Sequence, residues 1–156
     1  MSLCGYVFKK LKLNLKMENA VKITVSVDIN APIEKVWNYW TSPDHIMQWN
    51  QASDDWHTPY ATNDLRVGGS FLSRMAAKDG SFSFDFEGVY SEVENHKTIA
   101  YGLADGREVS TSFEKTGENA TKVTTIFDAE TENPVEMQQG GWQAIANNFK
   151  KHVENN

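Results

Sequence analysis

The stretch that decides the fold is residues 31–49, which read APIEKVWNYWTSPDHIMQW. Pro32 and Pro43 each stand where a helix is expected to begin, because proline presets the backbone angle of the first turn and lacks an N–H that this turn would leave unpaired. Glu34 and Asp44 place negative charge in each first turn, where the helix dipole favours it. Apolar residues then follow at helical spacing, which predicts two short helices in tandem. These residues are Ile33, Val36, Trp37 and Trp40 in the first helix, and Ile46 and Trp49 in the second.

Strand patterns lie on both sides of this helical stretch. Residues 21–29 alternate strictly between apolar and polar side chains, which is typical of a strand with one buried face. After the helices, five further segments carry strand patterns separated by short turns, which predicts an antiparallel meander. The segments are residues 65–78, 81–94, 98–103, 107–115 and 121–130. Residues 51–63 are polar and turn-rich but contain Trp56 and Tyr60, so we interpret them as a loop that covers a binding site.

The last predicted element is a long helix over residues 134–153. Asn133 is the expected N-cap, and Glu136 three positions later completes a capping-box pattern. A helix of this length measures ~30 Å and can cover one whole face of a sheet. Its apolar stripe consists of Trp142, Ile145, Phe149 and Val153. The order of elements therefore predicts an α+β fold in which a curved antiparallel sheet of about six strands wraps around the C-terminal helix.

Composition narrows the classes of function. A chain of 156 residues is expected to form one domain, which we place at residues 20–156. The net charge of −6 and a pI near 5.2 argue against binding to nucleic acid or to an anionic membrane. Cys4 is the only cysteine, which excludes an intrachain disulfide and favours a cytoplasmic location. No apolar run approaches the ~20 residues of a membrane span, so we expect no membrane insertion. We also expect the protein to be a monomer or a homodimer.

The N-terminal residues 1–19 differ from the rest of the chain. Residues 1–16 contain four lysines and no acidic residue. Three interpretations remain open: an upstream start or cloning remnant with Met17 as the true start, an added edge strand, or a mobile basic arm. We favour the first, in which this extension is disordered or an artefact, because chain termini are commonly disordered unless they are docked.

Four motifs in this order resemble a known family. They are INAPIEKVWNYWTSPDHIMQW, DLRVGGSFLSRM followed by KDG, FEGVYSEVENHKTIAY, and GGWQAIANNFKKHVE. Over residues 22–155 the chain is similar to the family related to the C-terminal domain of the heat shock protein 90 ATPase activator, within the START-like (SRPBCC) superfamily. The resemblance implies the helix-grip fold and a small apolar or amphipathic molecule held between the long helix and the sheet. It also implies two alternatives: an enzyme of the cyclase, dehydratase or hydrolase type, and a stress-response partner of the chaperone.

The ligand-binding candidates are aromatic and apolar side chains expected to face the space between helix and sheet. Core packing is the alternative interpretation for most of them, because apolar stripes usually form the core. We expect no cofactor. The candidates are Trp56, Tyr60, Phe71, Met75, Phe84, Phe86, Tyr101, Phe113, Trp142, Ile145 and Phe149.

Catalytic candidates are few, namely His57, Asp85, Glu87 and Tyr101. If the two acids point outward they are solvated charges, whereas inward they would be carboxylates with raised pKa values. The sequence leaves the direction open, because a bulge at Gly88 would reverse it. Arg74 and Arg107 could pair with such acids or with a ligand carboxylate. The four histidines show no metal-ligand spacing, and no nucleophile elbow or phosphate-binding loop occurs.

Overall fold

The computed structural model describes residues 21–156. The predictions for residues 1–19 therefore lie outside the described residues. The strands are β1 (Lys22–Ile29), β2 (Trp56–Asn63), β3 (Ser70–Ala77), β4 (Ser83–Glu94), β5 (Thr98–Gly102), β6 (Glu108–Gly117) and β7 (Ala120–Asp128). The helices are α1 (Ile33–Thr41), α2 (Pro43–Trp49) and α3 (Val135–Asn155).

The strands form one antiparallel sheet in the order β1-β7-β6-β5-β4-β3-β2. Apart from β1, each strand pairs with its neighbours in sequence, which confirms the meander. Strand β1 alternates between exposed and buried residues as predicted, and its buried face meets α3. The helix-grip fold is thus confirmed, with seven strands in the sheet instead of about six. Of the helices in residues 21–156, none combines the length and apolar character required to cross a membrane.

The additional strand is β2, which lies in the segment that we interpreted as a loop. That interpretation was wrong, because an edge strand tolerates the polar and proline-containing sequence WHTPYATN. Pro59 falls where the register between β2 and β3 shifts, between His57 and Tyr60. Proline cannot donate a ladder hydrogen bond, so it is confined to edges and bulges, and β2 provides both.

The start of α3 also differs from the prediction. Pro134 occupies the cap position, and its carbonyl accepts hydrogen bonds from the first turn; no side chain caps the helix. The predicted capping box at Asn133 was therefore wrong. The Glu130 carboxylate instead accepts the backbone N–H of Asn133 at 2.8 Å, and Gln138 Nε2 donates to the Asn133 carbonyl at 2.8 Å. Side-chain hydrogen bonds are thus made to the connection before α3, whereas the prediction placed them at the first turn of the helix.

The core lies where α1 and α2 meet the C-terminal half of α3. Phe149 is fully buried, and its ring lies 4.9 Å from that of Trp40 and 4.8 Å from that of Trp49. The Trp49 indole N–H donates to the Tyr39 carbonyl at 2.9 Å, which fixes its ring between the helices. Trp37 packs edge-on against Phe113 of β6, with ring centres 5.0 Å apart. The tryptophans of residues 31–49 therefore join both short helices to α3 and to the sheet.

Polar side chains of α3 bind the free edge of β1. Gln143 Nε2 donates to the Ser26 carbonyl at 2.9 Å, and Lys150 Nζ donates to the Asp28 carbonyl at 2.5 Å. The Glu154 carboxylate accepts the backbone N–H of Asn30 at 2.8 Å. An unpaired strand edge is a template for aggregation, and covering it with a helix is one way to avoid this.

A pair of histidines joins α2 to the end of α3. His45 Nδ1 lies 3.0 Å from His152 Nε2, and the Tyr39 ring stacks on His45 at 3.8 Å. Burial, His45 and Lys35 of α1 together lower the pKa of His152 below its ordinary value. Two adjacent imidazoles beside a lysine cannot both be protonated without repulsion.

We expect Phe149→Ala to lower the free energy of unfolding by about 3–5 kcal/mol, because it removes a fully buried ring from a packed core. Urea unfolding followed by circular dichroism measures this loss. Phe82→Ala is the matched control, since Phe82 is 60% exposed and its truncation leaves no core cavity. Equal losses in the two variants would contradict this description of the core.

The histidine pair predicts an acid-dependent loss of stability. Because the pKa of His152 is lowered in the folded state, the unfolded chain binds more protons, and stability falls as the pH drops below about 6.5. His152→Gln removes this titration, so its unfolding free energy should decrease less between pH 7.5 and pH 5.5 than that of the wild type. Urea titrations at each pH test this, and parallel pH profiles for the two proteins would refute it.

Candidate functional site

Four aromatic side chains cluster on the inner face of the sheet, where β3, β4 and β5 meet. We call Phe71, Phe86, Tyr90 and Tyr101 the aromatic floor. The Phe71 ring lies 4.6 Å from that of Tyr101 and 5.4 Å from that of Tyr90. Phe86 lies edge-on to Tyr101 at 6.2 Å. Such edge-on and tilted contacts suit aromatic pairs and leave ring faces available to a further apolar group.

Strand β4 keeps one alternation through Gly88, which settles the direction that the sequence left open. Phe86, Gly88 and Tyr90 share the inner face, and the register shifts only between Tyr90 and Glu92. Gly88 is required because a Cβ there would lie 2.9 Å from the Phe71 ring and 2.9 Å from a backbone oxygen. The missing side chain at Gly88 therefore leaves room for the Phe71 ring in the aromatic floor.

The acidic candidates therefore point outward. Asp85 lies opposite Arg74 of β3, and the Arg74 Nε donates to its carboxylate at 2.9 Å. This hydrogen bond holds the pKa of Asp85 below its usual range. Glu87, two residues further along β4, lies on the same outer face. Both residues are thus exposed surface carboxylates.

Tyr60 and His57 of β2 also lie on the outer face. Tyr60 pairs with Arg74, whose guanidinium sits 5.7 Å from the centre of its ring. His57 pairs with Ala76, which alternates outward between Met75 and the buried Ala77. The structure therefore does not bring Tyr60 or His57 to the aromatic floor. Their predicted placement failed because it depended on a loop that is in fact a strand.

Tyr101 is the one catalytic candidate on the inner face. Burial raises the pKa of its hydroxyl above the ordinary value, as does the nearby Tyr90. A catalytic interpretation requires at least two convergent polar groups, and neither His57 nor the two acids supplies the second. The other candidate partner, Arg107, is paired with Asp105, with 2.7 Å between its Nε and the carboxylate.

Three polar residues of the inner face, Tyr90, Asn63 and Ser73, were not predicted from the sequence. The Tyr90 hydroxyl donates to Asn63 Oδ1 at 2.5 Å, and Asn63 Nδ2 donates to the Thr41 carbonyl at 2.7 Å, which links β4 to β2 and α1. Ser73 lies on the inner face of β3 and is 5% exposed. The alternation within each strand would have predicted their inward position if the sequence had shown which residues of β3 and β4 face inward.

Trp142 is the residue of α3 that meets the floor. Its ring stacks on Phe127 with centres 3.9 Å apart and 13° between planes, and it lies edge-on to Phe86 at 6.1 Å. Ile145, one turn further, is half-buried. The remaining predicted contacts on this side, Phe113 and Phe149, belong to the tryptophan core instead.

The N-terminal part of α3 is less buried than its C-terminal half. A Cβ placed on Gly140 or Gly141 would meet no neighbour within 4 Å, and Met137 is 63% exposed. By contrast, Ala146, Phe149 and Val153 are buried. We call residues 135–142 with the facing aromatic floor the open end of the grip.

Further aromatic rings extend from the floor toward the tip of the sheet. Trp56 lies 6.1 Å from Phe84 and 6.2 Å from Phe82, on the face that carries Phe86. Met75 is half-buried beside them, and its sulfur lies 3.4 Å from the Thr58 hydroxyl oxygen. The inner face is thus lined with aromatic surface from the tip to Trp142.

A cavity of about 240 Å³ opens elsewhere, between the segment after α2 and the outer side of α3. Its lining is largely polar and includes none of the predicted ligand contacts: Gln51, Ala52, Ser53, Asp54, Ala144, Asn147, Asn148 and Lys151. Within residues 21–156, no three side chains of His, Cys, Asp or Glu are grouped closely enough to hold a metal ion.

Comparison with known proteins agrees with this architecture. Residues 30–154 match the model of the family described as activator of Hsp90 ATPase homolog 1-like protein. The chain belongs to this family. A search of the curated proteins gave no match.

Solved structures extend the comparison. The AHSA1-like protein of Aeromonas hydrophila is 46% identical, with a TM-score of 0.80, over 86% of this chain and 93% of that one. Protein Chr148 of Cytophaga hutchinsonii is 55% identical, with a TM-score of 0.75, over 86% and 92%. Protein NE0264 of Nitrosomonas europaea is 19% identical with a TM-score of 0.75, over 86% and 95%, which shows the shared fold alone.

Proposed function

We propose that this family member binds a small apolar or aromatic molecule between α3 and the aromatic floor, with entry at the open end. The proposal rests on the difference in burial between the two ends of α3. Phe149 and Val153 of α3 are completely buried, whereas Trp142 of the same helix and Phe86 and Tyr101 of the sheet are only half-buried. When an apolar ligand displaces water from an aromatic surface of this kind, the free energy of the complex is lowered.

The ligand contacts in this proposal are the inner members of the predicted set. Trp56, Phe84 and Met75 would contact a ligand at the tip of the sheet, and Ile145 would contact it below Trp142. We also propose a cytoplasmic location, since a single cysteine is typical of proteins in reducing compartments.

The neutral fluorescent probe N-phenyl-1-naphthylamine tests this proposal. We expect saturable binding to the wild type and a loss of at least about fivefold in Phe86→Asn, because the amide places polar atoms between Tyr101 and Trp142. Probe fluorescence titration measures the dissociation constants.

Val89→Asn is the matched control. Val89 lies on the same strand but on the outer face and is 52% exposed, so the variant should bind the probe like the wild type. Circular dichroism and thermal unfolding establish that both variants are folded. No saturable binding by the wild type, or equal weakening in both variants, would overturn the proposal.

The family description supports a second candidate function, in which the protein stimulates the ATPase of heat shock protein 90 as a stress-response partner. We expect such a partner to raise the ATPase turnover of the chaperone from the same organism in a titration with the purified protein. The heat-denatured protein serves as the inactive control. Unchanged turnover at saturating protein, together with no complex by size-exclusion chromatography, would refute this candidate.

A further inference from the structure

The Tyr101 hydroxyl has no hydrogen-bond partner among residues 21–156. Several other polar groups on the inner face are paired. The Tyr90 hydroxyl donates to Asn63, the Thr58 hydroxyl donates to the Asn50 carbonyl at 2.6 Å, and the hydroxyls of Thr111 and Thr125 lie 2.9 Å apart. Tyr101 is half-buried on this face, so its unpaired hydroxyl can serve a group that enters at the open end.

The ring of Tyr101 packs among apolar side chains, and the nearby Arg107 opposes the rise in the pKa of its hydroxyl. Its ring contacts Phe71 at 4.6 Å and Phe86 at 6.2 Å, and it joins the two clusters of the hydrophobic core. Because burial raises the pKa of this phenol, the group stays protonated at neutral pH and can donate a hydrogen bond.

Ser73 provides a second free hydroxyl on the same face. It is 5% exposed, pairs with Phe86 across β3 and β4, and has no side-chain hydrogen bond within residues 21–156. Ser73 of β3 and Tyr101 of β5 are therefore both neighbours of Phe86 on β4.

We propose that Tyr101 is the polar anchor of the ligand site and donates a hydrogen bond to a neutral acceptor, such as a ketone, aldehyde or ester carbonyl, on an otherwise apolar ligand. This inference rests on the proposed function and adds the chemical class of the ligand. The acids Asp85 and Glu87 lie on the outer face, so the floor offers no counter-ion to an ammonium group. Ser73 supplies a further donor for a ligand with a second oxygen.

The test compares two probes of similar shape, 2-acetonaphthone and 2-ethylnaphthalene, which differ in the carbonyl oxygen. We expect Tyr101→Phe to weaken binding of the ketone by ~3- to 10-fold, the range of one neutral hydrogen bond, and to leave the hydrocarbon unchanged. Quenching of tryptophan fluorescence measures both affinities. Tyr60→Phe, which removes a hydroxyl from the outer face, is the matched control and should change neither affinity.

The outcomes separate this inference from the proposed function. If both probes bind but Tyr101→Phe leaves the ketone affinity unchanged, the anchor is refuted and the apolar site stands. If neither probe binds the wild type, both proposals are overturned.

The unliganded variant gives a second readout. Removing an unpartnered hydroxyl should leave the thermal midpoint of Tyr101→Phe unchanged or raised, whereas Tyr90→Phe loses its bond to Asn63 and should be less stable. A Tyr101→Phe variant as destabilised as Tyr90→Phe would show that the hydroxyl is already satisfied and would overturn the anchor.

Discussion

The packing of Phe149 between Trp40 and Trp49 determines how the long helix sits on the sheet. The three rings lie within 4.9 Å of one another in edge-on and stacked contacts, and Phe149 is fully buried. A ring held in this way fixes the C-terminal half of α3 in position and orientation, because a packed core resists small displacements. The sheet, the two short helices and the long helix meet at this point.

A second set of contacts fixes the rotation of α3 about its own axis. Gln143 and Lys150, two turns apart on α3, donate to the Ser26 and Asp28 carbonyls on the free edge of β1. Because these side chains occupy one face of the helix, the adjacent face carrying Trp142 and Phe149 must lie over the sheet. N-terminal to Trp142 the contact with β1 is longer, since Gln139 Nε2 lies 3.4 Å from the Thr24 carbonyl, and Gly140 and Gly141 add no side chain there. The open end is thus the part of α3 where few side chains are buried.

Much of this architecture could be predicted from the sequence, for identifiable reasons. The prolines, acids and tryptophans of residues 31–49 act locally, and the alternation in β1 reports a single buried face, so both predictions were confirmed. Strand β2 could not be recognised because edge strands are not required to alternate and tolerate Pro59. The predicted capping box of α3 was wrong because the Glu130 carboxylate accepts the Asn133 N–H that the box would have paired with Glu136.

The site was harder to predict than the fold, and strand β4 shows why. Its sequence alternates aromatic and acidic residues, and this pattern does not say which set lies inside. The structure resolves it through Gly88, whose missing side chain lets Phe71 pack against the inner face. Once the phenylalanines are inside, Asp85 must face solvent, where Arg74 can pair with it at little desolvation cost. The same alternation that makes the outer face charged therefore leaves the inner face aromatic, with hydroxyl groups as its polar atoms near Phe86. Such a surface favours a neutral ligand, because a buried charge without a partner is far more costly than a buried carbonyl that accepts one hydrogen bond.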